Sequence, residues 1–351
     1  MQQKFADKLR CPVSKEKLDL NVFEKTQRVY KGETREEIIS AIFFSPNGFF
    51  YPVIDGVPRL QLESFLEYKE FCLKHVSSYD ERKQKLMNEF GFIIKQSIRR
   101  NINTKKSFGF EWGLFKYNAD TTWGWTKDAR KERFLKEIGT TTENVKGKTL
   151  IDIGCGNGVL TSGISEFGIE TVGLDATRSI ERAFKFNENP DAHYVQGDLQ
   201  MPPFARESFD IVYSTGVIHH TNNTELSFSC ISELLKKEGT IYIWLYHPIK
   251  QFKHNAILFL RKFTKHLPLW LQYILYLVLF VPQAMIRHKL GGTKRTWREQ
   301  LIDYFDVLSP EFRFEHTMEE VDTWLTKRNY SKGTKSIDTH YGFGAYAVKN
   351  A

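Results

Sequence analysis

Ile151-Asp152-Ile153-Gly154-Cys155-Gly156-Asn157-Gly158 is a short apolar strand that runs into a glycine-rich turn, and a helix pattern opens directly after it. Glycine at 154, 156 and 158 permits positive φ and leaves the turn without Cβ atoms, so a ligand can reach the main chain. In an open α/β sheet such a turn lies at the carboxyl edge of the strands, where nucleotide-like ligands bind. A nicotinamide-binding turn would carry G-x-G-x-x-G, with its third glycine where Val159 stands. The G-x-G-x-G spacing here, with Asp152 two residues before the first glycine, points to a different ligand.

Downstream, three further apolar stretches end in polar groups. Glu170–Asp175 closes on a carboxylate suited to both hydroxyls of a ribose, followed by Ala176. Residues 193–198 close on a second carboxylate, Asp198, followed by Leu199. Phe209–Thr215 runs into Gly216, Val217 and the pair His219-His220. Helix-length segments separate these ends, which would therefore line one crevice.

Taken in order over about 149–246, the four motifs closely resemble those of class I S-adenosylmethionine-dependent methyltransferases of the type 11/12 kind. The resemblance implies an α/β fold with a doubly wound, seven-stranded Rossmann-like sheet and S-adenosylmethionine as cofactor. It also implies roles for single residues. Asp152 and the turn Gly154, Cys155, Gly156 and Gly158 would hold the methionine part. Asp175, with Ala176, would take the ribose, and Asp198, with Leu199, would meet the adenine. Thr215, Gly216 and Val217 would face the sulfonium.

Residues 1–60 read as a separate β-rich module. Leu9-Arg-Cys-Pro-Val-Ser14 and the stretch 50–59 are short β-like pieces, with a turn at Asp55-Gly56. The pair resembles a zinc-ribbon-like module of the methyltransferase-activator kind. Ser14 and the stretch 45–48 stand where ribbon cysteines belong, and Cys11 alone cannot hold zinc tetrahedrally. The expectation is a module without metal. Residues 61–107 read as a helical linker, and 108–351 as the methyltransferase domain. Phe108, Trp112 and Trp123 precede the sheet and are expected to lie over the crevice as a lid on cofactor or substrate.

The 351 residues carry a formal net charge of +8, but the charge is unevenly spread. Residues 239–298 contain no Asp or Glu and ten Lys or Arg, at 250, 253, 261, 262, 265, 287, 289, 294, 295 and 298. Removing that +10 from +8 leaves −2 for the remainder, so the basic character is local. Inside this segment, residues 269–281 are almost continuously apolar between Pro268 and Pro282. Thirteen helical residues span roughly 20 Å, less than a bilayer core of about 30 Å. The segment, about 250–298, is expected as a helical cap inserted after the fifth strand. It would close on the sheet, or meet an anionic membrane surface or a lipid-linked substrate, or bind nucleic acid.

Cys11, Cys72, Cys155 and Cys230 show no paired spacing, so neither disulfides nor a metal site is expected. With no apolar leader at the N-terminus, the expectation is a cytoplasmic protein, peripheral to the inner membrane face if the basic segment meets lipid. Homo-oligomerisation is compatible with the sequence and not indicated by it.

Methyl transfer from a sulfonium is an in-line displacement, so the enzyme aligns the partners and removes a proton where the acceptor requires it. His220, and behind it His219, are the candidate bases at the mouth of the fourth strand. No carboxylate base is evident beside them. The element Asn/Asp-Pro-Pro-Tyr, used on exocyclic amino groups of bases, is replaced by Tyr213-Ser-Thr-Gly, and Cys230 falls on the next helix, away from the crevice. These features favour O-methylation of a small-molecule, glycan or lipid-linked acceptor. Two alternatives stand beside it: an RNA methyltransferase with the cap as its phosphate-binding surface, and a cofactor-binding scaffold without catalysis.

Overall fold

The computed structural model describes residues 1–114, 125–292 and 295–351. Its strands are β1 (Asp19–Tyr30), β2 (Glu33–Phe44), β3 (Phe50–Ile54), β4 (Val57–Leu60), β5 (Thr149–Ile153), β6 (Glu170–Asp175), β7 (Ala192–Gly197), β8 (Phe209–Thr215), β9 (Leu235–Tyr246), β10 (Thr334–Asp338) and β11 (Gly342–Val348). They form one sheet in the order β1-β2-β3-β4-β7-β6-β5-β8-β9-β11-β10. β7, β6, β5, β8 and β9 are mutually parallel, and β11 and β10 complete the edge antiparallel.

The central strands are parallel because helices cover both faces. β5 and β7 are buried along almost their whole length, which is why they read as apolar runs rather than as alternating patterns. The chain leaves β5 toward β6 and β7, then returns to the other side of β5 for β8 and β9. That reversal opens a crevice at the carboxyl ends of β5 and β8, the usual place for a ligand in such sheets.

The N-terminal strands are not a free-standing unit. β4 pairs parallel with β7, Arg59 opposite Gln196 and Leu60 opposite Gly197, so β1–β4 extend the central sheet. Without them β7 would present an open edge of unpaired backbone groups, which proteins cover where they can. Arg59 is buried at this seam, pairs with Glu181 at 3.1 Å and lies over the Tyr68 ring. Cys11 is buried as well, its thiol 3.5 Å from the Tyr51 hydroxyl.

The boundary read at 107/108 falls inside one helix, Tyr79–Leu114, of 36 residues. At 1.5 Å per residue it is about 54 Å long, and it runs from the N-terminal strands to the crevice. Its last turns place Phe108, Glu111 and Trp112 there, whereas Trp123 lies outside the described residues.

After β9 the chain forms two cap helices, Phe252–Thr264 and Leu269–Lys289, and then a bridging helix, Trp297–Leu308. Tyr276, Leu301, Phe305 and Leu308 make a satellite core between the second cap helix and the bridging helix, with Phe110 of the long helix against it. The second cap helix is longer than the apolar run predicts. It passes through Pro282 and ends at Lys289, 21 residues instead of 13. Proline removes one intrahelical donor, but Pro282 lies on the solvent side, where the freed carbonyl can meet water. At 1.5 Å per residue the helix is about 32 Å long.

Candidate active site

β5 ends at Ile153, and the turn that follows takes φ of +72° at Gly154, +57° at Gly156 and +72° at Gly158. Side chains are excluded there for a second reason. A Cβ at Gly154 would run into Val217, and one at Gly156 into the indole of Trp112. The β5 turn and the turn after β8 therefore touch, with Trp112 closing over them from the long helix.

Asp175 at the end of β6 is buried and shapes this turn. Its carboxylate accepts from the Gly156 amide at 2.9 Å and from the Thr177 amide and hydroxyl at 2.7 Å each. Burial raises its pKa, against the pull of these donors. Asp152 sits behind the turn, accepts from the Thr161 hydroxyl at 2.6 Å, and is pushed by burial to about 6. Asp198, at the end of β7, receives Arg100 and, at 2.8 Å, Asn101 of the long helix. Leu199 packs against the main core beside it. The Ala176 carbonyl accepts from Gln61 and Gln196 at 3.1 and 3.2 Å. Burial holds the Cys155 thiol well above its ordinary pKa, so it is a packed thiol and not a nucleophile.

These residues fit S-adenosylmethionine. The positive-φ glycine turn and the carboxylates near the ends of β5, β6 and β7 are the residue types that the cofactor requires, with Val217 and Trp112 packed over Gly154 and Gly156. The Thr215 hydroxyl, at the end of β8, is buried and lacks a hydrogen-bond partner of good geometry among the described residues.

Beyond Gly216 a 3-10 turn, Ile218–His220, buries both histidines. His220 Nδ1 lies 2.9 Å from the Phe312 carbonyl, which can only accept, so Nδ1 carries the proton and Nε2 the lone pair. Among the described residues Nε2 makes no hydrogen bond, and it faces Asp306 Oδ1 at 3.7 Å. Burial lowers the His220 pKa to about 3, so the imidazole is neutral at physiological pH. His219 is fully buried, lies 4.5 Å from the Tyr246 ring, and is held well below its usual pKa by burial and by His220. Phe108 meets His220 edge-on at 5.1 Å.

Residues from several separate elements, none of them picked out by the sequence, complete the group. Asp306, from the bridging helix, accepts the Tyr246 hydroxyl and is pushed by burial to about 6. Glu111, from the long helix, is buried, and burial together with Asp306 and Asp303 raises its pKa strongly. The Arg313 guanidinium lies 4.0 Å over the Tyr246 ring and pairs with Glu315 at 2.7 Å. Glu315 in turn receives His254 of the first cap helix at 2.7 Å. A carboxylate does therefore stand beside the histidines, 86 positions downstream of His220. Its one sequence signal is an acid on the apolar stripe of a helix: Asp306 follows Ile302 by one turn and Phe305 by one residue, all three buried.

Residues 151–243 match the family model described as a methyltransferase domain. A ubiquinone biosynthesis O-methyltransferase of Pelagibacter ubique is 27% identical over 117 residues, 32% of this chain and 49% of that protein. A sterol 24-C-methyltransferase of Candida albicans is 35% identical over 125 residues, 33% of this chain and 32% of the other. The chain thus spans half or less of these relatives. Among solved structures, magnesium protoporphyrin IX methyltransferase of Synechocystis PCC 6803 superposes with a TM-score of 0.37 at 13% identity, covering 76% of this chain and 97% of the other.

Proposed function

We propose that this chain, whose residues 151–243 are a class I S-adenosylmethionine-dependent methyltransferase domain, transfers a methyl group to an oxygen of a small-molecule, glycan or lipid-linked acceptor. The bound cofactor supplies the electrophilic methyl on sulfur. Gly154, Gly156 and Gly158 would carry its methionine part, Asp175 its ribose and Asp198 its adenine, with Thr215–Val217 facing the sulfonium.

The reading rests on one observation above all: His220, buried just past the β8 turn, sets Nδ1 on the Phe312 carbonyl and Nε2 3.7 Å from an acid, Asp306. A hydroxyl must lose its proton as the carbon–oxygen bond forms, and a base within hydrogen-bond reach can take it. His220 alone is a poor acceptor, because burial holds its pKa near 3. Asp306 remedies this. Once ionised, above about pH 6, it stabilises the imidazolium that appears when Nε2 takes the proton. The Phe312 carbonyl fixes the tautomer, and the Tyr246 hydroxyl fixes the Asp306 carboxylate. Phe108 and Trp112 cover the two turns and keep water from the reacting groups.

Two observations weigh against the alternatives. The basic segment exposes a broad apolar surface between its cations, unlike a phosphate-tracking groove. A scaffold has no use for a base with a matched carboxylate. To test the proposal, methyl-labelled cofactor is incubated with the protein and a host extract, then separated into lipid, RNA, protein and polar pools. An ether or ester methyl in the lipid or polar pool supports it. Label confined to RNA establishes the first alternative, and bound cofactor without any transfer favours the second.

A further inference from the structure

The cap exposes far more apolar surface than a solvated fold needs. On the first cap helix Phe252, Phe259 and Phe263 recur at i, i+7 and i+11, one helical stripe, and Phe252 is 88% exposed. On the second, Trp270, Ile274 and Val278 recur every fourth residue and are 63, 49 and 67% exposed. Large contiguous apolar patches on soluble proteins mark interaction surfaces. Cations flank both stripes. Lys262 and Lys265 stand at the end of the first helix, Arg287 and Lys289 at the end of the second, with no ion pair from any of them among the described residues.

From this we infer that the two cap helices form a docking surface for an anionic phospholipid bilayer, lying in the plane of its interface. Charge selects the occupant. With no acid between 239 and 298, a second copy of the same face would oppose cation to cation. Lipid phosphates complement those cations while the aromatic and aliphatic stripes enter the acyl boundary.

The second cap helix is long enough to cross a bilayer, with a mean hydropathy of 1.7 over its most apolar 18 residues. Its packing argues for an in-plane position instead. Gln272, Tyr276 and Ala284 are buried, and Tyr276 is locked to Leu301, Phe305 and Leu308 of the bridging helix. That helix also carries Glu299, Asp303 and Asp306, which a crossing would drag into hydrocarbon at high cost.

Docking is read without turnover, so it stands or falls apart from the transfer reaction. The full chain is sedimented with vesicles of phosphatidylcholine alone and of phosphatidylcholine with phosphatidylglycerol at 3:1. Two double variants accompany it, Trp270→Glu with Val278→Glu and Lys262→Glu with Lys289→Glu. Each cation at an anionic surface contributes about 1 kcal/mol, roughly fivefold in partitioning. The wild type should partition at least tenfold better into anionic than neutral vesicles. The lysine variant should lose more than tenfold, and the tryptophan-valine variant should not bind. Alkaline carbonate should release the bound wild type. Calorimetry should give all three proteins the same cofactor affinity, separating lost docking from a lost fold. Equal partitioning of wild type and variants, resistance to carbonate, or a dimer broken by the apolar variant with no vesicle binding would each overturn the inference.

Discussion

Asp306→Asn removes one charge from the acceptor side while leaving an oxygen for the Tyr246 hydroxyl and a side chain of the same size. Its expected effect follows from geometry. Two unit charges about 4 Å apart attract by about 4 kcal/mol at an effective dielectric near 20. Asp306 Oδ1 lies 3.7 Å from His220 Nε2, so the imidazolium loses up to that stabilisation in the variant. At about 1.4 kcal/mol per decade this is a fall in kcat of about two to three orders of magnitude. The assay is transfer of labelled methyl at saturating cofactor, with cofactor affinity measured by calorimetry. Affinity should not change, since Asp306 lies on the acceptor side. The pH profile carries a second signature. With Asp306 at about 6, its ionised form dominates above that value, so wild-type turnover should rise through pH 6 and then level off. In the variant the rise through pH 6 should vanish. A kcat within threefold of wild type, or an unaltered acid limb, would refute the pairing of His220 with Asp306.

Other perturbations reach different parts of the molecule. His220→Ala should lower turnover at least a hundredfold without weakening cofactor binding, and activity within twofold of wild type would remove it as the base. Asp175→Asn should weaken cofactor affinity more than tenfold by calorimetry, since a neutral amide replaces the carboxylate that holds the Gly156 and Thr177 amides; unchanged affinity would end the ribose assignment. Gly156→Ala forces a Cβ into a backbone with φ of +57° and into the Trp112 indole, so cofactor binding should be lost even where far-UV circular dichroism remains native. Glu111→Gln deletes a buried acid whose pKa the fold raises. Stability from such a group is complete below its unfolded pKa and is lost as pH rises through the folded one. The melting temperature of the variant relative to wild type should therefore climb as pH rises above the ordinary carboxylate range, and a relative fall would contradict the burial argument.

The crevice was legible because its parts are local. A glycine turn directly after β5, and polar groups at the ends of β6, β7 and β8, are each written in a few consecutive residues, and the alternation of strand and helix lengths puts those ends at one sheet edge. The acceptor side was not legible, because its members come from separate elements. Glu111 closes a long helix, Tyr246 ends β9, Asp306 lies beyond the cap and Arg313 beyond that, and only packing of the bridging helix brings them together. The N-terminal strands misled for a related reason. Short strands with their own turns look self-contained, whereas the pairing of Leu60 with Gly197 depends on an edge 137 residues away. At Pro282 a local rule failed, since a proline on the solvent side does not end a helix whose opposite face is held by Tyr276 and Phe305.

Whether this chain moves a methyl group from S-adenosylmethionine to an acceptor oxygen is decided by the bond that holds the label. Wild type and Asp306→Asn are incubated in parallel with methyl-labelled cofactor and host extract, and the labelled product is identified by its bond. An oxygen-bound methyl is expected in the lipid or polar pool with wild type, and at most about one hundredth as much with the variant. Cofactor bound by both proteins with no labelled product from either, or label on nitrogen or carbon at equal rates from both, would contradict it.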